Sequence, residues 1–259
     1  EDDLKDVNLN GETVTILYWS DRERPEFEIE ELTSDRVKDA LYTRNLTTES
    51  RLNAKIKWVG TPGNYNNQAA FVSVCRTGNA TSEYDIFAGY SLTAATLALE
   101  GLSQDMSELP YLNFDKPWWP ESVVSQAKIN GKLYFTSGDI STNMLHMMYG
   151  VFFNKDLLEQ FGYEKDQPYQ LVQDMNWTLR QMVKMCENAY EDLPGTPAGK
   201  DYNDRFGFVS TDINYDGWYT CSGLKTIVAT DDGLAVSDDF VSDKAKLLSE
   251  KVISIFKSD

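Results

Sequence analysis

At 259 residues the chain has room for one large domain or two modest ones. Its apolar share of 41% and aromatic share of 12% are those of a folded globular protein, which excludes wholesale disorder. With 24 basic against 41 acidic residues the net charge is −17, which excludes a nucleic-acid or anionic-lipid partner, because an acidic surface repels phosphate.

The first half alternates strand and helix. Thr13–Trp19 predicts a strand that ends on Trp19-Ser20-Asp21. Residues 26–46 predict a helix, with Leu32, Val37 and Leu41 near helical spacing. Residues 54–59 read as a strand by period two, stopped by Gly60-Thr61-Pro62-Gly63, and 67–76 as a helix closed by Gly78-Asn79. Residues 84–88 form the third strand, ended by Gly89-Tyr90-Ser91, and 93–102 the next helix. Repeated units of this length predict a mostly parallel sheet flanked by helices. Ligands of such sheets bind beyond the carboxyl ends of the strands. The three strand tips therefore converge on one rim.

Beyond Leu109–Trp119, where two prolines suggest a passage between lobes, the pattern changes. Residues 129–135 read as a hairpin turning on Asn130-Gly131. The nearly unbroken apolar run 144–154 predicts a strand buried on both faces. Thr178 is the expected N-cap of a helix over 179–189, with Trp177 as its staple. A Pro/Gly/Asp loop at 192–204, a short strand at 206–209 and an amphipathic helix at 244–256 complete the chain.

Few residues carry the marks of catalysis. The single histidine, His146, lies inside the 144–154 run and reads as a hydrogen-bonded residue at a core strand's edge. No nucleophile elbow or phosphate-cradling glycine loop accompanies it. Asp212–Gly217 opens like a calcium loop, but Gly223 stands where the twelfth-position Glu belongs, so the segment reads as a turn. Cys75, Cys186 and Cys221 form no metal pattern. A Cys186–Cys221 disulfide is open, with two buried free thiols the preferred reading. The three Asn-x-Thr sequons, at Asn45, Asn79 and Asn176, establish nothing about secretion. No apolar run reaches the roughly eighteen residues of a membrane span, and the Glu1-Asp2-Asp3 start reads like a mature or trimmed one. The stronger signal is aromatic. Trp19, Tyr90, Trp118, Trp119, Trp218 and Tyr219 sit beside turn residues or acids, a composition suited to stacking a pyranose face. Trp58, Trp177 and at least one of Trp118 and Trp119 read instead as packing anchors.

The segments VTILYW, YDIFAGY, INGKLYFTSGD, VFFNKDLLEQFG, NWTLRQMVKMCENA and NDRFGF together resemble the extracellular solute-binding proteins of carbohydrate ABC importers. This is the maltose-binding-protein-like group, and DKPWW is similar to its clostridial-type members. The resemblance covers nearly the whole chain. It implies a type II periplasmic-binding-protein-like α/β fold with mostly parallel sheets flanked by helices. A first lobe is expected over 1–115 and a partial second lobe over 116–259, because members run on past the helix ending near Phe256. An incomplete second lobe is expected to bind sugar poorly and to leave an unpaired sheet edge that recruits a partner chain. Many members carry a calcium loop before the DRYGF step. Here Pro194, Thr196 and Pro197 stand in it, so no metal is expected.

The resemblance also implies a role for the strand tips. Trp19, Ser20 and Asp21 from the first strand, Thr61 from the second, and Tyr90 and Ser91 from the third would face a mono- or oligosaccharide. Asp139, Ile140 and Ser141 would lie near the lobe crossing, with Trp218 and Tyr219 opposite. Neither catalysis nor a cofactor is expected. The expected partners are the sugar and the membrane permease subunits, with the chain tethered at a bacterial, Gram-positive-type cell surface by a lipid anchor. The competing readings are a secreted glycoside hydrolase and a binding protein for a peptide or polyamine.

Overall fold

The computed structural model describes residues 4–21, 25–194, 200–230 and 233–257. The protein is a mixed α/β structure with a small parallel sheet of three strands and surrounding helices. The chain divides into two compact units. The first runs to Met148 and includes Gly233; the second spans Tyr149 to Thr230 and resumes at Leu234. The segment 116–148, which the sequence assigned to the start of a second lobe, belongs to the first unit.

In the first unit, β1 (Thr13–Trp19) is the central strand. It pairs in parallel with β2 (Lys55–Thr61) along its whole length, from Thr13 opposite Lys55 to Trp19 opposite Thr61. On its other side it pairs with β3 (Ile86–Ala88), Ile16 to Tyr18 facing Ile86 to Ala88. The order β2-β1-β3 means that the chain leaves β1 to one side and then returns to the other. Helix α1 (Arg36–Leu52) connects β1 to β2, α2 (Gln68–Thr81) connects β2 to β3, and α3 (Ser91–Leu99) follows β3. Leu17, Phe71, Val72, Cys75 and Leu97 form the core between β1, α2 and α3. Burial pushes the Cys75 thiol up to about 12, so it stays protonated and serves as a small apolar filler.

The remaining elements of this unit are short. Helix α4 (Glu121–Gln126) precedes β4 (Lys128–Ile129) and β5 (Lys132–Leu133), an antiparallel pair turning on Asn130 and Gly131. Both turn residues have positive φ, 51° and 78°, as the expected Asn-Gly hairpin requires. Helix α5 (Thr142–His146) closes the unit.

The second unit opens with α6 (Lys155–Gln160), α7 (Gln167–Gln173) and α8 (Leu179–Cys186). It continues with α9 (Asn214–Cys221), the paired strands β6 (Ile227–Thr230) and β7 (Gly233–Val236), and α10 (Asp243–Lys257). Its core joins Tyr219 and Leu224 to Ala245, Leu248 and Val252 of α10. Thr178 caps α8 as expected, its side chain accepting from the Gln181 N–H.

Several expectations are corrected. Residues 26–35 are not helical. Asp35 accepts from the N–H groups of Val37 and Lys38, Ser34 has φ 68°, and the helix therefore starts at Arg36. Helix α2 continues through Gly78 to Thr81, and Gly78 leaves room for the Tyr84 ring to pack directly on the helix. The run 144–154 is not a buried strand. Its start is helical, with Ser141 accepting from the Met144 N–H, and Met147, Met148 and Phe152 are 64%, 68% and 98% exposed. His146 accordingly is exposed at the end of a short helix. Residues 206–209 form no strand; only Arg205 bridges to Glu191, and Gly207 passes against the Cys186 carbonyl with no space for a side chain. Asp212 and Ile213 form the expected turn, but the rest of the segment is already α9, and a Cβ on Gly217 would stand 2.8 Å from the Tyr149 ring. All three cysteines are free thiols as expected, but Cys186 is half-buried and Cys221 exposed, so the pair is not buried. Among the described residues no helix is long and apolar enough to cross a membrane, and no group of side chains is arranged to hold a metal ion. Of the calcium-type loop at 192–197, residues 195–197 lie outside the described residues.

Candidate functional site at the carboxyl ends of the sheet

Successive strand residues point to opposite faces, so Tyr18 and Trp19 leave the end of β1 in opposite directions. The 25–28 segment folds back over the strand end, with Glu26 on the Trp19 side and Phe27 and Glu28 on the Tyr18 side. On one side Phe27 stacks on Trp58 at 5.9 Å, Tyr18 meets both rings edge-on, and the Tyr18 hydroxyl donates to Glu28 at 2.6 Å. Burial, reinforced by Glu28, raises the Tyr18 phenol well above its ordinary range, so it remains a donor.

On the other side Trp19 stacks on Tyr90, the residue that opens α3, with ring centroids 5.8 Å apart and planes 19° apart. The Trp19 indole N–H donates to Glu26 Oε2 at 3.2 Å. Glu26 is only 5% exposed, and its oxygens collect further donors. The Asn143 side-chain amide reaches Oε2 at 2.9 Å, while the Asn143 backbone N–H reaches Oε1 at 3.3 Å alongside the Ser141 hydroxyl. The neighbouring Arg44 guanidinium donates to the carbonyls of Phe27 and Ile140 and to the Asn45 side chain. Burial lowers the basicity of Arg44, and the charge of Glu26 offsets only part of that.

Asp21 has a different task. One oxygen accepts from the N–H groups of Gly63 and Asn64 at 2.8 and 3.0 Å, and the other from the Asn67 side chain at 2.9 Å. Burial alone would raise this carboxyl. The hydrogen bonds from Gly63, Asn67 and Asn64 outweigh it and hold the group below its ordinary value. Asp21 thus clamps the turn after β2. Gly63 completes the clamp, since a Cβ there would stand 2.5 Å from the Phe71 ring and 2.9 Å from Trp19 Cβ.

The structure therefore brings Trp19, Tyr90 and Ser141 into one cluster, organised by Glu26 and Asn143, which sequence reasoning missed. Ser20 is exposed beside them and its N–H donates to the Thr61 carbonyl at 2.9 Å, while Thr61 is half-buried. Ser91 is exposed in the first turn of α3, whose N-terminus no side chain caps. Asp139 is exposed, its N–H held by the Trp118 carbonyl at 3.1 Å. No protein-family model and no curated protein matches this chain.

Trp218 and Tyr219 belong to the second unit and are packed within it. Trp218 stacks on Phe208 at 5.8 Å and on Phe256 at 6.2 Å. Tyr219 is 8% exposed and donates to the Lys225 carbonyl at 3.3 Å. Tyr219 also borders a hollow of about 520 Å³ shared with Tyr215, Asp216, Phe240 and Lys246.

Proposed function

We propose that this chain is the substrate-binding component of a carbohydrate importer. It captures a mono- or oligosaccharide and passes it to a membrane permease, without catalysis of its own. The observation that carries this reading is the Trp19–Tyr90 stack. In a sheet of order 2-1-3 the ligand crevice lies where the chain switches sides, between the ends of β1 and β3. Trp19 ends β1, and Tyr90 follows β3 by two residues. Half-buried aromatic rings at that crevice suit the C–H face of a pyranose. The exposed Ser20 and Ser91 hydroxyls and the uncapped α3 N-terminus add donors for sugar oxygens.

The finer architecture belongs to the same proposal: a type II binding-protein fold whose two lobes close on the ligand by hinge bending. So does the setting, a bacterial cell surface to which a lipid anchor tethers the protein. The resemblance of the six segments to such proteins is its other support.

A thermal-shift screen of the full-length protein tests the reading, with mono- and oligosaccharides set against peptides and polyamines. A sugar should raise the melting temperature. Trp19→Ala should weaken that sugar by about 1–3 kcal/mol in calorimetry, the size expected when a stacked aromatic anchor is removed. Stabilisation by peptides or polyamines alone would overturn the choice of ligand. Release of reducing ends from an oligosaccharide would overturn the exclusion of catalysis.

A further inference from the structure

We propose that Glu26 is the positioning residue of the rim: it fixes the Trp19 indole against Tyr90 and joins that indole to residues 141–143 in one hydrogen-bonded assembly. The inference rests on the functional reading only in calling the Trp19 face a ligand face; the assembly itself stands on geometry.

Four donors converge on the two oxygens of Glu26. They are the Trp19 indole N–H, the Asn143 amide N–H, the Asn143 backbone N–H and the Ser141 hydroxyl. An ionised carboxylate is acceptor-only, with room for about four such bonds. Three of the four are N–H groups that can only donate, so a neutral acid or an amide could place its hydrogen only toward the Ser141 hydroxyl. The site is therefore arranged for a group that accepts through both oxygens. Arg44, fixed by the carbonyls of Phe27 and Ile140, supplies the balancing cation from α1. A buried carboxylate is costly unless its oxygens are satisfied and a counter-charge is near, and both conditions are met here.

The consequence is a division of labour at the rim. The oxygens of Glu26 and Asp21 are taken up by the protein's own donors. Ligand contact falls to ring faces and exposed hydroxyls. Glu26 also binds the strand tip to Ser141, the N-cap of α5, after which the chain leaves the first unit at Met148.

Glu26→Gln preserves shape and removes the charge, so it separates positioning from bulk. In ¹⁵N-labelled protein the Trp19 indole N–H signal, assigned through Trp19→Phe, should move toward the position of a free indole in Glu26→Gln. Amide exchange at Asn143 and Met144 should accelerate at least tenfold. Glu28→Gln, whose carboxylate faces Tyr18 on the other side of β1, should leave the Trp19 signal in place. An unmoved signal in Glu26→Gln, or an equal movement in Glu28→Gln, overturns the proposal. Should Glu26→Gln not fold, Ser141→Ala removes one donor only. It must still move the Trp19 signal, and failure to do so is equally decisive.

Sugar binding is read separately with the saccharides of the screen above and the full-length protein. If the unaltered protein binds none, the functional reading fails while the indole shift still judges the assembly. If it binds and Glu26→Gln weakens binding at least tenfold, the positioning role holds. Binding within twofold overturns it.

Discussion

The acid at the tip of β1 is where residue-level chemistry is most sharply divided. Asp21 follows Trp19 and Ser20, and by type and place it reads as a ligand for hydroxyls. Its oxygens instead hold the N–H groups of Gly63 and Asn64 and the amide of Asn67. Hydrogen bonds to a charged acceptor contribute about 1.5–3 kcal/mol. Asp21→Ala should therefore cost about 1–3 kcal/mol in denaturant unfolding. The pH dependence has a definite sign. A carboxyl depressed in the fold stabilises it above the unfolded value of about 3.9, and that contribution disappears as pH falls through the lower folded value. The stability gap between the unaltered protein and Asp21→Asn should be full near neutrality and should close below about pH 4. A gap that persists unchanged in acid would show that the charge of Asp21 is irrelevant to the clamp. Glu26 was illegible for a related reason. Leu32, Val37 and Leu41 have helical spacing, and extending that period back to residue 26 hid a non-helical segment just after Pro25, in which Glu26 meets Trp19 while Phe27 and Glu28 meet Tyr18.

Among elements, the strands were easier to read than the segments between them. β1 and β2 are marked by β-branched and aromatic residues with abrupt Ser-Asp and Gly-Pro endings, and both ends lie within two residues of expectation. The Asn-Gly hairpin and the Thr178 cap were legible because each depends on one or two residues with a specific backbone preference. The 144–154 run failed because apolar composition reports what a segment is made of, not what covers it; Phe152 is 98% exposed. Gly217 misled in another way. It resembled a loop glycine, yet it lies inside α9 where the Tyr149 ring presses on the helix. Gly63 carries the corresponding prediction for the first unit. A methyl group there meets Phe71 and Trp19 at once, and overpacking of this kind costs about 1–3 kcal/mol. Gly63→Ala should lower stability by that amount and shift the Trp19 signal. A fully stable variant with an unmoved signal would mean that the turn relaxes away from Phe71 freely.

For the molecule as a whole, each compact unit has its own buried cluster. Leu17, Phe71, Val72, Cys75 and Leu97 serve the first, and Tyr219, Leu224, Ala245, Leu248 and Val252 serve the second. The composition of these cores differs as much as their location. The first is built around a strand covered by helices, whereas the second is mainly α10 against α9. Segments that share a buried cluster open together, and segments that do not can open separately. Leu17→Ala and Leu248→Ala each remove a buried side chain, with an expected cost of about 2–5 kcal/mol. Hydrogen exchange in low denaturant, read by mass spectrometry on peptides from 13–19, 68–81 and 243–257, separates the two outcomes. Leu17→Ala should accelerate exchange in 13–19 and 68–81 and leave 243–257 as before. Leu248→Ala should do the reverse. If either substitution accelerates all three peptides equally, the chain unfolds as one cooperative body. The two clusters would then have to be treated as a single core, and the division at Met148 would describe geometry without describing stability.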